Sequence, residues 1–236
     1  MKYSIIIPAY NEEARIGDTV RDYAAYLQGG FPDGEAELRI IVNGSRDRTA
    51  EIARALEGEF PCVRAWVTPE RQGKGGAVMK GFELAEGEIV AFADADNATT
   101  APELRRLLEV VAQGAADAAI GSRWLPQSRQ AIPQPWPRRV ASRVFNLIVR
   151  LLFQFPYRDT QCGAKAFRKA AIDAVRDEIH TTGWAFDVAL IWRLRRHGFK
   201  VLEVPITWSD NSKSRLRMHR DAPSMLWELI KLRLGG

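Results

Sequence analysis

Cysteine is nearly missing from this 236-residue chain, which has only Cys62 and Cys162. Two distant thiols build neither a disulfide framework nor a cysteine metal cluster, so the chain reads as reduced and cytosolic. Each reads as a small buried hydrophobe and takes no assigned role. Histidine is almost as scarce: His180, His197 and His219 are too scattered for a metal site and suit surface or packing positions. No apolar run approaches the ~20 residues needed to span a bilayer, and no signal peptide is recognisable. Repeats and low-complexity tracts are absent as well. Acidic side chains vanish between 118 and 158, where seven arginines stand. A block of that kind points to an anionic partner: a phosphate, a membrane or a nucleic acid. Nucleic acid fits worst, because the arginines have no interleaved run of aromatics on which bases would stack.

What is present is ample core material, 46% hydrophobic residues, with a net charge of +5. The length suits one large α/β domain over 1–236, with two small domains the less favoured division. Apolar β-branched runs at 3–7, 38–42, 63–68, 89–93 and 116–121 read as strands. Helical patterns at about 12–27, 47–56, 75–85 and 102–113 alternate with them. That order predicts a Rossmann-like, mostly parallel sheet covered by helices on both faces. Residues 126–137, rich in proline and glutamine, read as a mobile loop. From 138 to 155 the period is helical, with Val140, Val144, Leu147, Ile148, Leu151, Leu152 and Phe155 on one stripe. Arg139, Arg143 and Arg150 lie on the opposite side. Such a stripe suits either the protein's own core, expected for half of this helix, or an anionic membrane surface. Lys213, Arg215, Arg217 and Arg220 then precede an amphipathic segment at 224–234.

The chemistry is concentrated at strand ends. The run EIVAFADADN (88–97) drives an apolar strand into Asp94 and Asp96. Residues two apart on an extended segment share a side, so both carboxylates are expected to face one point beyond the strand. Converging carboxylates suit a hard divalent cation with positions left for substrate phosphates, and this is where ligands of open α/β sheets sit. An Asp-rich turn after a buried strand is the plain structural reading. In PAYNEE (8–13), Glu13 suits helix capping, whereas Tyr10, Asn11 and Glu12 suit capping and ligand roles equally. Asn43-Gly44 is a turn signal, with Ser45 or Asp47 as the cap of the next helix. RQGKGGAVMKG (71–81) surrounds Lys74 with glycines, which let backbone amides approach a phosphate; the order is not that of a P-loop.

These four loops in succession resemble the family-2 glycosyltransferases of the GT-A fold. AIGSRW (119–124), YRDTQCGAKAFR (157–168), GWAFDVALIWRLRRHG (183–198) and VLEVPITW (201–208) extend the resemblance to the dolichyl-phosphate (polyprenyl-phosphate) beta-glucosyltransferase branch, over nearly the whole chain. The resemblance implies a nucleotide-sugar half, 1–125, and an acceptor- and membrane-facing half, 126–236. It places Pro8, Ala9, Tyr10 and Glu12 at the base and ribose, with Asn43, Lys74 and Arg123 also on the nucleotide-sugar side. Asp94 and Asp96 become the ligands of Mg2+ or Mn2+ on the donor diphosphate. Arg138, Gln161, Lys165, Trp184, Asp187 and Arg215 fall on the sugar and acceptor side, with Asp187 catalytic beside the aspartate pair. The implied reaction is inverting transfer of glucose from UDP-glucose to a polyprenyl phosphate, by an enzyme peripheral at the cytoplasmic membrane face.

The resemblance also has gaps. Val42 and Asn43 replace two acids, which leaves the reading of the base open. Ala189 replaces the carboxylate of Asp-Val-Glu, and Asn211 to Ser214 replace a Pro-Gly-Ser motif. Another donor, GDP-mannose or UDP-N-acetylglucosamine, is an alternative, as is a hydroxyl acceptor needing Asp159 or Asp187 as base. A nucleotide-sugar binder without transfer is the alternative of another class.

Overall fold

The computed structural model describes residues 1–183, 185–210 and 218–234. The chain opens with β1 (Tyr3–Ala9), α1 (Ile16–Gly30), β2 (Ala36–Asn43), α2 (Thr49–Glu59), β3 (Val63–Thr68) and α3 (Gly73–Leu84). It continues through β4 (Ile89–Phe92), α4 (Ala101–Ala112), β5 (Ala118–Ser122), β6 (Arg129–Ile132) and α5 (Trp136–Phe153). The remaining elements are β7 (Lys165–Arg168), α6 (Lys169–Val175), α7 (Phe186–Arg196), β8 (Val201–Pro205), β9 (Thr207–Ser209) and α8 (Met218–Leu234).

Seven strands form one sheet in the order β3-β2-β1-β4-β7-β5-β8. All neighbouring pairs are parallel except those made by β7, which runs antiparallel between β4 and β5. The alternation of the strands divides the core into two layers. Ile5 and Ile7 of β1 join a cluster with residues of α1, α2 and α4 on one face. Ile6 joins residues of α3, α5, α6 and α7 on the other. Burial on both faces explains why these strands are apolar throughout rather than alternating.

β1 runs two residues beyond the apolar stretch, through Pro8. Its pairing with β4 ends at Ile6 opposite Phe92, so on that side no ladder bond waits for the N–H that proline lacks. α1 begins later than its sequence pattern, at Ile16, because Asn11 adopts a left-handed φ of 51° and the Glu12 carbonyl accepts the Arg15 and Ile16 amides in a turn. Glu13 therefore precedes α1. Its carboxylate accepts the Arg48 N–H at 3.0 Å, so it serves the start of α2 rather than its own helix.

The expected loop at 126–137 is partly ordered. β6 pairs in parallel with β9 in a separate two-stranded sheet, a pairing that its polar sequence Arg-Gln-Ala-Ile does not announce. α5 turns most of its expected stripe outward: Val140, Val144, Leu147 and Leu151 are exposed, as is Trp136 at the helix start, and the buried Phe155 lies past the helix end. The apolar residues that α5 buries, Val149 and Phe153, are off that stripe, and Arg139, Arg143 and Arg150 are exposed beside the outward row rather than opposite it. α8 lies alongside it and buries Met225 and Leu229, with Trp227 and Leu234 exposed. No helix among the described residues is long and apolar enough to cross a membrane.

Candidate active site

The parallel strands bring the βα loops of β1, β2, β3 and β4 to the carboxyl end of the sheet, and side chains lace them together. Asn11 gives its N–H to Ser45 Oγ at 2.9 Å, and its side-chain oxygen accepts the Arg46 N–H at 2.7 Å. Glu12 N–H reaches Thr49 Oγ1 at 2.7 Å, while its carboxylate binds Arg15 Nε at 2.8 Å. Asp47 caps α2 through the Thr49 amide at 3.1 Å. Against burial, hydrogen bonds from Thr49 and Glu13 keep its carboxyl below the ordinary range. Asn43, expected on the nucleotide side, is buried, and its oxygen accepts the Gln72 N–H at 3.2 Å. That bond joins the second loop to the third. Pro8 and Ala9 close β1, and Tyr10 lies beneath the Arg71 guanidinium at 4.4 Å.

The glycines of the third loop serve packing first. A Cβ on Gly73 would meet the Thr182 carbonyl, one on Gly75 the Phe186 ring, and one on Gly81 the Ile6 side chain. The Gly75 amide, an expected phosphate donor, is already bonded to Thr182 O at 2.9 Å. Close approach of Thr182 and Phe186 to α3 therefore accounts for the glycines at 73 and 75, in place of a phosphate cradle built on the Gly75 amide.

At the end of β4, Asp94 follows the strand and Asp96 lies in a turn, so the extended geometry expected for the pair is absent. The turn forms because Asp96 Oδ1 accepts the Ala98 N–H at 3.0 Å. α1 braces it: Thr19 Oγ1 donates to Ala95 O at 2.9 Å and Tyr23 Oη to Thr99 O at 2.6 Å. The carboxylates are nonetheless neighbours. Burial first, and then the charge of Asp94, push Asp96 up to about 6. Asp96, buried and facing the Asp94 charge, and Asp94, partly open, offer oxygen donors suited to a divalent cation. Among the described residues no group of three or more Asp, Glu, His or Cys side chains is placed to hold a metal ion. An ammonium already stands on Asp94: Lys74 Nζ lies 2.9 Å from its Oδ1. The donor set therefore fits Mg2+ or Mn2+.

β7 brings the second half of the chain onto this point. Its antiparallel register sets Lys165 opposite Phe92, so the preceding Cys162-Gly163-Ala164 crosses Asp94. A Cβ on Gly163 would overlap Asp94 Oδ2. Lys165 is fully buried and donates to Cys162 O at 2.6 Å and to Asp187 Oδ1 at 2.5 Å. Asp187 Oδ2 faces Lys74 Nζ at 3.7 Å. A chain of alternating charge results: Lys165, Asp187, Lys74, Asp94. Despite burial, Lys165 and Lys74 hold the Asp187 carboxyl below the usual range. Although burial pulls the other way, Asp187 and Asp94 hold Lys74 above its ordinary value. Both ammonium groups rest on the Phe92 ring, at 5.4 and 5.2 Å from its centroid.

Arg123, expected near the phosphates, is locked to Asp159. Nε and Nη2 meet the two carboxylate oxygens at 2.7 and 2.9 Å, and the Arg123 amide adds a bond at 3.0 Å. Its fork is thereby filled, because the 159–163 loop lies directly against the end of β5. Burial pushes the Cys162 thiol in that loop up to about 11. Beyond Arg123 opens a cavity of about 300 Å³ lined by Trp124, Ser128, Gln130, Arg139 and Arg143 among others. Arg143 and Arg139 stand over the Trp124 ring at 4.4 and 5.8 Å. Trp124 Nε1 and Gln130 Oε1 are buried without a hydrogen-bond partner among the described residues. Sequence reading missed this cavity as a unit, although the acid-free arginine block was its signal.

Arg138 pairs with Asp210 at 3.5 Å, at the rim of the small β6–β9 sheet rather than in the lysine–aspartate chain. Gln161 sits in the β7 approach, its amide on Asp159 Oδ1 at 3.3 Å and its side-chain nitrogen buried without a partner among the described residues. Trp184 and Arg215 lie outside the described residues. Ala189, where the resembling family carries an acid, is buried in α7.

Comparison with known proteins agrees with this geometry. The family profile described as "Glycosyl transferase family 2" matches residues 4–176. Glycosyltransferase AglD of Haloferax volcanii is 36% identical across 98% of this chain, which spans only 37% of that protein's length. The dolichyl-phosphate beta-glucosyltransferase of Drosophila melanogaster is 32% identical over 96% of this chain and 74% of its own. In three dimensions the chain is similar to glucosyl-3-phosphoglycerate synthase from Mycobacterium tuberculosis, solved with Mn2+, UDP and phosphoglyceric acid. The TM-score is 0.74 at 19% identity, covering 99% of this chain and 78% of that one. The fold is thus that of the GT-A enzymes.

Proposed function

This chain belongs to glycosyltransferase family 2, and we propose that it transfers glucose from UDP-glucose to a polyprenyl phosphate at a membrane surface, inverting the anomeric centre. Residues 1–125 hold the donor, with Tyr10, Glu12 and Asn43 around the nucleotide, and 126–236 present the acceptor. Mg2+ or Mn2+ held by Asp94 and Asp96 would supply positive charge to the diphosphate as it departs. Lys74, paired with Asp94, adds a positive charge to the same site.

The acceptor is inferred from chemistry as much as from similarity. A phosphate monoester has its second pKa near ~6 and is mostly dianionic at neutral pH, so it attacks without first losing a proton. An alcohol needs a base within reach. Asp187 faces a lysine on each oxygen, and Asp159 is forked by Arg123. Paired in this way, neither is a ready proton acceptor.

The observation that carries the reading is the arginine cavity at the head of the outward apolar face of α5. Arg139 and Arg143 offer guanidinium forks matched to phosphate oxygens, with the unpartnered Trp124 N–H beside them. Trp136 and Leu151, 74% and 72% exposed, mark the ends of a row that also holds Val140, Val144 and Leu147. An apolar row with arginines beside it suits a lipid surface, where the acceptor's chain resides. The polyprenyl tail then stays in the bilayer while its phosphate enters the cavity, and the enzyme works as a peripheral protein on the cytoplasmic face. Similarity to dolichyl-phosphate beta-glucosyltransferases over most of the chain supports the same acceptor class.

The test is transfer from labelled UDP-glucose to a short polyprenyl phosphate with Mn2+, wild type beside Asp94→Ala. Label is expected in the lipid phase with wild type alone. Transfer only from GDP-mannose or UDP-N-acetylglucosamine would replace the sugar, and full activity of Asp94→Ala in chelator would remove the cation site.

A further inference from the structure

Asp94 is asked to hold two cations. The proposed divalent ion needs its oxygens, yet Lys74 Nζ already lies 2.9 Å from Oδ1. Lys74 cannot keep that contact at full strength once a doubly charged ion is on the same carboxylate, because like charges a few ångströms apart repel strongly. The ammonium is only partly exposed, so leaving the site for bulk water is not its easiest course. A second carboxylate stands beside it. Asp187 Oδ2 is 3.7 Å away, a loose contact that a small side-chain motion would tighten.

Asp187 is built to wait there. It sits in the first turn of α7 and is almost wholly buried. Its other oxygen is pinned by the buried Lys165, which is itself tied to Cys162 O. One lysine thus fixes the carboxylate and the other shares it with Asp94.

We propose that Lys74 is a resident cation that trades its place on Asp94 for a divalent ion, and that Asp187 is the positioning residue that receives the displaced ammonium. Lys74 then remains in the site as a charge toward the donor phosphates after the exchange, and the aspartates are never left without a counter-charge before it. Asp187 acts through Lys74 and not on the acceptor's proton. This inference rests on Asp94 and Asp96 being the cation ligands.

The test is Mn2+ titration of the protein without donor or acceptor, free ion read from its electron paramagnetic resonance signal. Wild type, Lys74→Met, Asp187→Asn, the double variant and Asp94→Ala are compared. Removing the competing charge should tighten Mn2+ binding by about tenfold in Lys74→Met. Asp187→Asn, which leaves Lys74 with Asp94 alone, should weaken it by about tenfold, yet change it less than about twofold when Lys74 is already Met. A merely electrostatic background from Asp187 would weaken binding equally in both backgrounds, and a merely structural role would weaken every variant. Either result overturns the exchange while leaving the cation site standing, provided wild type binds Mn2+ and Asp94→Ala does not. Absence of Mn2+ binding in all five proteins overturns the cation reading and this inference with it. Asp187→Asn also strips Lys165 of a partner, so melting is followed in parallel. Should that variant unfold, Lys74→Arg decides: it keeps the charge and should bind Mn2+ as wild type does, and binding as tight as in Lys74→Met refutes the exchange.

Discussion

At the scale of single residues, the site depends on contacts that leave no room for substitution. Gly163 passes so close to Asp94 that any Cβ would overlap the carboxylate. Gly163→Ala is expected to tilt Asp94 away from its working position and lower transfer by about 100-fold, the scale of a ~1 Å misplacement. The thermal midpoint should shift little, and the comparison of activity with melting checks both. Arg123 and Asp159 are the opposite case, a pair whose loss is structural. Arg123→Met leaves a buried carboxylate without its paired guanidinium, a loss of about 3–5 kcal/mol in urea denaturation. The acid limb follows from the same pair. Against burial, Arg123 holds Asp159 below its ordinary value of 3.8. Its stabilisation is therefore complete above that value and is lost as pH falls through the lower folded value. Wild type should lose stability in that acid window, and Arg123→Met should lack that component of the loss, in melting curves recorded from pH 6 downward.

At the scale of elements, α5 and β7 are the least ordinary. α5 has enough apolar residues for a core helix but buries only one side. Leu147→Glu with Leu151→Glu places charges on the outward side only. These are expected to weaken binding to anionic vesicles and slow transfer to a long-chain lipid phosphate, with a short soluble acceptor used about as before. A cosedimentation assay and the two acceptor assays measure this, and equal loss on both acceptors would place the stripe in the fold instead. β7 is short, only Lys165–Arg168, and polar at both ends, so its sequence hardly announces a strand. Its place between β4 and β5 comes from both neighbours offering free edges at that point. Once paired, it delivers the 159–164 loop over Asp94 and makes the two parts of the chain inseparable at the sheet.

At the scale of the molecule, Asp94 and the βα loops beside it come from the parallel strands, and the loop that crosses Asp94 comes from beyond residue 158. A ligand bridging those parts should therefore tighten the whole sheet. UDP with Mn2+ at a hundred times the dissociation constant should stabilise the fold by about 2.7 kcal/mol. Calorimetry would show a raised melting temperature, reversed by chelator in wild type and absent in Asp94→Ala. A chelator-insensitive shift would mean that UDP binds without the cation.

The strand–helix alternation, the apolar strands and the aspartates at the end of β4 were legible in the sequence, because each reflects burial or turn chemistry within about ten residues along the chain. The loop motifs also carried the family, since their order survives in the linear text. Other features belong to the tertiary structure alone: the turn that sets Asp96 beside Asp94, the packing use of Gly73 and Gly75, and the Arg123–Asp159 lock. The Lys165–Asp187–Lys74–Asp94 chain is of the same kind. Each joins groups far apart in sequence that compete for one partner, and local pattern does not record which partner wins. The outward face of α5 was left open for a related reason: an apolar stripe specifies that something must cover it, while only packing decides whether the protein itself does so.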